Sequence, residues 1–164
     1  MIEMSFQIRD AKMPEELPRL HEFIMGTQRF EYAFEPNRRL DAPVAAEYFK
    51  ILADEVRAKG GCIFVAEGEN GSLLGWGVVH RAEDDVYVND EERPFAYISE
   101  LFVVEDARGK GIGRAFIAAS EAWARAQGLK VMQIGVLPGN IRAKAIYERA
   151  GYHSYAVRLR KYLP

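Results

Sequence analysis

The chain has 164 residues, 49% of them hydrophobic and 28% charged, with a formal net charge of −2. This size predicts a single domain over residues 1–164, and the weak charge gives no indication of a nucleic-acid partner. No apolar run approaches the ~18 residues of a membrane span, the first residues do not resemble a signal peptide, and one cysteine suits a reducing compartment, so we expect a cytoplasmic protein without membrane contact.

The residues that commonly bind metals or act as nucleophiles are few and scattered. None of the three histidines, His21, His80 and His153, has a second ligand at the spacing of a metal site, so no metal is predicted. Cys62 opens an apolar run, Cys62 to Ala66, which indicates a buried thiol rather than a nucleophile. We therefore expect no covalent acyl-enzyme.

The first third of the chain predicts one strand and two helices. Alternation from Ser5 to Arg9 indicates a strand. Helical spacing relates Leu17, Leu20, Phe23 and Ile24, and this helix is expected to end near Gly26. An aromatic stretch follows, with Phe30, Tyr32 and Phe34. A second helix is predicted over Pro43 to Lys59, and Gly60 and Gly61 stop it.

Strands dominate the middle of the chain. They are predicted over Cys62 to Glu67, Leu73 to Arg81 and Ala96 to Val104, and an acidic loop, Glu83 to Glu92, interrupts them. A helical pattern then covers Arg114 to Gln127, and Lys130 to Leu137 reads as another strand.

The last elements are a short helix and a strand. Asn140 is suited to cap a helix that Gly151 ends, and three alternating side chains predict a final strand: Tyr155, Val157 and Leu159. The expected order is β-α-α-β-β-β-α-β-α-β, an α/β (α+β) layered fold with a central mixed sheet flanked by helices.

A glycine-rich turn joins the long central strand to the following helix. Its residues are Arg108, Gly109, Lys110, Gly111, Ile112 and Gly113. Free backbone N–H groups and the positive end of a helix dipole make such a turn suitable for phosphate. A Walker loop is excluded because Lys110 precedes Gly111 rather than Ser or Thr, and neither register of the glycines completes Gly-x-Gly-x-x-Gly. A plain strand-to-helix turn is the alternative.

The spacing Arg108-x-x-Gly111-x-Gly113 resembles the GNAT superfamily of acetyl-CoA-dependent N-acetyltransferases. The likeness begins at Leu101 and resumes from Asn140 to Tyr152, where Asn, Ala, Tyr-Glu and Gly-aromatic residues follow in the family's order. Two linked motifs are more specific than either alone. The predicted element order is similar to the layout of the family.

The resemblance implies a binding site for acetyl-CoA as co-substrate. Backbone N–H groups from Arg108 to Gly113 would hold its pyrophosphate, with charge-assisted contacts from the side chains of Arg108 and Lys110. The backbone of Leu101, Phe102 and Val103 would pair with the pantetheine amides. Asn140 would contact the cofactor, or serve only as a helix cap.

Two side chains are candidate catalytic residues. Glu100 is a carboxylate inside the apolar strand, which is costly unless it faces a cleft or a partner. It would act as general base, or else face water or pair with a basic residue. The position of Tyr147 resembles that of the family tyrosine that protonates the CoA thiolate; the alternative is a core aromatic.

The predicted function is acetyl transfer to a primary amine of a small molecule or peptide, by direct attack on the thioester. The alternative is an acyl-CoA-binding module without turnover. Acceptor contacts are expected in the least matched regions, namely Phe30 to Glu35 and the acidic loop, although core packing and a solvated loop are the ordinary interpretations. A homodimer is a common outcome in the family.

Overall fold

The computed structural model describes residues 5–164, and a five-stranded sheet organises them. The strands are β1 (Phe6–Asp10), β2 (Gly61–Gly68), β3 (Leu73–Glu83), β4 (Pro94–Val103) and β5 (Met132–Ile134). They lie in the order β1-β2-β3-β4-β5; β1 to β4 are antiparallel, and β5 is parallel to β4. The mixed sheet of the predicted fold class is confirmed.

Four α-helices accompany the sheet: α1 (Leu17–Tyr32), α2 (Pro43–Lys59), α3 (Ile112–Ala126) and α4 (Ile141–Arg149). Three of them, α1, α2 and α3, each bury an apolar face against strands. Residues of α1 and α2, such as Phe23 and Leu52, share one buried cluster with Trp76 and Val78 of β3. On the opposite face, Ile117 of α3 packs with Val79 and Ile98.

Helix α1 does not end near Gly26, as the sequence predicted, but continues to Tyr32. Gly26 is instead a point of close packing, since a Cβ placed there would lie 2.5 Å from Cζ of Phe102. The glycine brings α1 close to β4 rather than stopping the helix.

The C-terminal end of the sheet also differs from the prediction. Strand β5 has three residues, and no strand forms after α4: residues 153–164 are irregular. Tyr155, Val157 and Leu159 are 63%, 80% and 89% exposed. Their alternation has no partner strand within residues 5–164 of this chain, and alternation alone does not form a sheet.

Candidate functional site

A cleft opens where β4 and β5 separate. The two strands pair at Ala96–Met132, Tyr97–Gln133 and Ile98–Ile134 and no further, although β4 continues to Val103. The resulting cavity, of about 1000 Å³, is lined by the rest of β4, the segment after β5, and parts of α1, α2, α3 and α4. The end of this pairing leaves one edge of β4 accessible.

A β-bulge lies at the point of separation. Val78 pairs with Glu100 while Val79 pairs with Ile98, so Ser99 is an extra residue on β4. Without it, Ile98 and Glu100 would share a face, because side chains two apart point the same way along a strand. With it, Ile98 joins the α3-side core and Glu100 turns toward α2.

Glu100 is held in the cleft without a cationic partner. Its Oε1 accepts a hydrogen bond of 2.5 Å from the phenol of Tyr48, and no salt bridge to it forms among residues 5–164. Burial raises the pKa of Glu100 to about 7; the Tyr48 hydrogen bond lowers that pKa, and the charge of Glu31 raises it. The sequence left open whether Glu100 faces a cleft or pairs with a basic residue. In the described chain it faces the cleft and pairs with no basic residue.

The glycine turn forms the opposite part of the cleft. Gly109 and Gly111 have φ values of +78° and +88°, which side-chain-bearing residues rarely adopt, and Gly111 is the N-cap of α3. A Cβ at Gly113 would meet only Cδ2 of Leu101, at 3.8 Å. The glycines therefore leave the backbone at the start of α3 open to a ligand.

The two basic side chains of this turn are engaged within the protein. Arg108 Nε donates to the carbonyl oxygen of Val103 at 2.9 Å, and its guanidinium lies 5.1 Å from the ring centre of Phe30. Lys110 Nζ donates to the carbonyl of Asp106 at 3.0 Å, and Lys110 does not line the cleft. All the other residues predicted to act in catalysis or to bind the cofactor do line it.

Helix α4 closes the side of the cleft beyond β5. The Oδ1 of Asn140 accepts a hydrogen bond from the N–H of Ala143 at 3.2 Å, as expected of a helix cap, and Asn140 also lines the cleft. Tyr147 packs against the α3-side core and lines the same cavity. Burial, with smaller effects from the charges of Glu31 and Glu100, raises the pKa of Tyr147 to about 12.

The regions suggested for acceptor contacts divide between the cleft and other surfaces. Phe30 and Glu31 of α1 line the cavity, and Glu31 accepts a 2.6 Å hydrogen bond from Arg38 Nε. Phe34 packs elsewhere, against Gly139. The acidic loop does not line the cleft: Asp84 accepts a hydrogen bond from Gln133, and Glu91 pairs with Lys130.

Tyr48 is the residue of this site that the sequence did not identify. Tyr48 falls within the helix predicted over Pro43 to Lys59, at a position typical of its apolar face. A buried phenol usually has a hydrogen-bond partner, which was the one available signal. The partner, Glu100, is 52 residues away in the chain.

Comparison with known proteins assigns the family. The sequence model of the acetyltransferase (GNAT) family matches residues 19–152. This chain belongs to the GNAT family. The GNAT chain is 27% identical over 111 residues to an aminoglycoside N(6')-acetyltransferase type 1 of Stenotrophomonas maltophilia, covering 67% of this chain and 71% of the relative. It is 33% identical over 90 residues to the mycothiol acetyltransferase of Propionibacterium freudenreichii subsp. shermanii, covering 55% of this chain and 27% of that relative.

Solved structures share the GNAT fold. A mutant of the BH1408 protein of Bacillus halodurans superposes with a TM-score of 0.81 at 21% identity, covering 96% of this chain and 99% of that one. The aminoglycoside N-acetyltransferase AAC(6')-Iy in complex with CoA superposes with a TM-score of 0.68 at 19% identity, covering 96% and 95%. At these identities the likeness is one of fold.

Across residues 5–164, none of the helices combines the length and apolar character needed to cross a membrane. The same part of the chain contains no cluster of three His, Cys, Asp or Glu side chains arranged to hold a metal ion.

Proposed function

We propose that this chain transfers an acetyl group from acetyl-CoA to a primary amine of a small molecule or peptide. The observation that carries the proposal is one continuous cleft that joins the glycine turn at the start of α3 to Glu100, a carboxyl with a pKa of about 7. The turn suits the pyrophosphate of acetyl-CoA, and a carboxyl with this pKa suits removal of a proton from an ammonium.

The glycine turn would hold the pyrophosphate of acetyl-CoA mainly through backbone N–H groups. The positive φ of Gly111 and the open space beside Gly113 fit a close backbone approach, and the α3 dipole favours negative charge there. The edge of β4 from Leu101 to Val103 would pair with the amides of the pantetheine arm. Arg108 would then release the carbonyl of Val103, which it binds at 2.9 Å.

Glu100 and Tyr147 would move the protons of the reaction. Glu100 accepts a proton from the attacking ammonium, directly or through water, and the freed nitrogen bonds to the thioester carbon. Main-chain N–H groups along Leu101 to Val103 stabilise the developing oxyanion. As the C–S bond breaks, Tyr147 donates its proton to the departing sulfur, and the acetylated nitrogen then passes its second proton through water to the phenolate, which restores the phenol. With a pKa of about 12, the phenol still carries that proton at neutral pH.

The acceptor end of the cleft favours an amine that carries positive charge before it reacts. Glu31 adds a second carboxylate close enough to raise the pKa of both Glu100 and Tyr147. The aminoglycoside acetyltransferase relative of Stenotrophomonas maltophilia makes aminoglycosides a rational first group to test, followed by polyamines and peptides with free N-termini.

The test is release of free CoA thiol, followed with a thiol dye, from acetyl-CoA in the presence of an amine panel. We expect thiol release with at least one amine, and its loss in Glu100→Gln with acetyl-CoA affinity retained. Acetyl-CoA binding by calorimetry without release across the panel would favour the acyl-CoA-binding module. Absence of binding at millimolar acetyl-CoA would refute both.

A further inference from the structure

The phenol of Tyr48 makes the one side-chain hydrogen bond that Glu100 receives from residues 5–164. Tyr48 lies on α2, and its Oη donates to Glu100 Oε1 at 2.5 Å across the cleft between helix and sheet. The bulge at Ser99 is what brings the two groups together, because it turns Glu100 toward α2.

We propose that Tyr48 is a positioning residue for the general base: it fixes the Glu100 carboxylate by hydrogen-bonding one oxygen and leaves the other for the acceptor amine. This inference rests on the proposed function. Glu100 Oε2 receives no hydrogen bond within the described chain, and Glu100 lines the cleft. A carboxylate with one fixed oxygen keeps its second oxygen in a defined orientation, which general-base catalysis needs.

The hydrogen bond also sets the pH at which Glu100 acts. Burial disfavours the ionised carboxyl, whereas donation by Tyr48 favours it, so Tyr48 lowers a pKa that would otherwise lie above 7. Burial and the Glu100 charge raise the pKa of Tyr48, so the phenol keeps its proton and remains a donor at the pH of the reaction.

Other titratable or charged groups surround this pair without bonding to Glu100. The acids and phenols are Glu31 of α1, Glu55 of α2, Tyr97 of β4 and Tyr147 of α4. Three nearby bases are engaged elsewhere: Arg38 with Glu31, Arg108 with the Val103 carbonyl, and His80 with the Arg81 carbonyl. The charge of Arg158 acts on Tyr97, and three further arginines line the cleft, Arg114, Arg142 and Arg149, but none of these bases bonds to Glu100 within residues 5–164. The Tyr48 hydrogen bond is therefore the local interaction that opposes the effect of burial.

The test compares pH profiles of kcat/KM for wild type, Tyr48→Phe and Tyr97→Phe. Tyr97 is the matched control, because its phenol lies near the Glu100 charge but makes no hydrogen bond to it within the described chain. A charge-assisted hydrogen bond of typical strength corresponds to about 1–2 pH units. We expect the acid limb of Tyr48→Phe to move upward by this amount, activity to recover toward pH 9, and acetyl-CoA affinity to stay unchanged.

The outcomes separate this inference from the proposed function. The positioning role would be overturned if folded Tyr48→Phe kept the acid limb of the wild-type profile. If Glu100→Gln abolished that limb, Glu100 would remain the base. An equal movement of the limb in Tyr97→Phe would show that any nearby phenol has the same effect, and would also overturn it. Absence of thiol release by the wild-type protein would instead refute the proposed function.

Discussion

Replacing Glu100 by Gln should remove the activity and at the same time stabilise the fold at alkaline pH. Gln keeps the size of the side chain and an oxygen that can accept the hydrogen bond from Tyr48, but it can neither ionise nor accept the proton of an ammonium. The two effects have one cause, since the buried carboxyl that can act as a base is also a charge removed from water.

The magnitude follows from the pKa of Glu100, which is about 7 in the folded chain against an ordinary value of 4.5. Each pKa unit corresponds to about 1.4 kcal/mol. Because the folded-state pKa is raised, ionisation destabilises the fold progressively as pH rises from 4.5 to 7, and the full cost remains above that range. Relative to a neutral side chain, this cost is about 1 kcal/mol at pH 5 and about 3 kcal/mol at pH 8.

The assay is urea denaturation of wild type and Glu100→Gln at pH 5 and pH 8, alongside thiol release at both values. We expect the variant to gain about 2 kcal/mol more in unfolding free energy at pH 8 than at pH 5, and to lose its activity. If the unfolding free energies of wild type and variant differed by the same amount at pH 5 and pH 8, the raised pKa of Glu100 would be refuted. Full activity of a folded Gln variant would refute the role of base.

Three further expectations concern other parts of the cleft and the C-terminus. Gly113→Ala should fold normally, since its Cβ meets only Leu101 at 3.8 Å. It should weaken acetyl-CoA binding about tenfold or more, as measured by calorimetry; an unchanged affinity would show that the phosphate does not bind beside Gly113. Gly111→Val would be a poorer test, because valine rarely adopts the φ of +88° found there, so the substitution would strain the backbone as well as block the ligand. Tyr147→Phe should lower kcat about 100-fold with acetyl-CoA affinity retained. An unchanged kcat would show that Tyr147 is only a core aromatic. Deleting residues 155–164 should change Tm by no more than about 2 °C, because the tail is exposed and its Arg160–Glu35 ion pair is superficial; a much larger loss would indicate that the tail packs as the predicted strand.

Local features of the chain were readable without a structure. The spacing of Gly109, Gly111 and Gly113 after an apolar strand depends on backbone conformation over a few residues, as does the cap formed by Asn140. The helix over Pro43–Lys59 was predicted with the same bounds that the structure gives, because its apolar period and its terminal glycines are local signals.

Features that depend on pairing between distant segments could not be predicted from the sequence. Gly26 looked like a helix stop because its neighbour Phe102, on β4, is 76 residues away, and the final strand was expected because alternation carries no information about a partner. The same limit applies to the bulge, since an extra residue on β4 is defined only by its register with β3.

For the candidate site, the sequence alone was sufficient to single out the glycine turn and Glu100, the first by the spacing of its glycines and the second as a charge in an apolar strand. Tertiary structure supplied the rest. The loss of pairing beyond Ile98 opens the cleft, the bulge turns Glu100 toward α2, and the Tyr48 phenol reaches it there. Strand register and contacts across 52 residues arise only when the chain is folded, and the burial that comes with folding gives an ordinary glutamate a pKa of about 7.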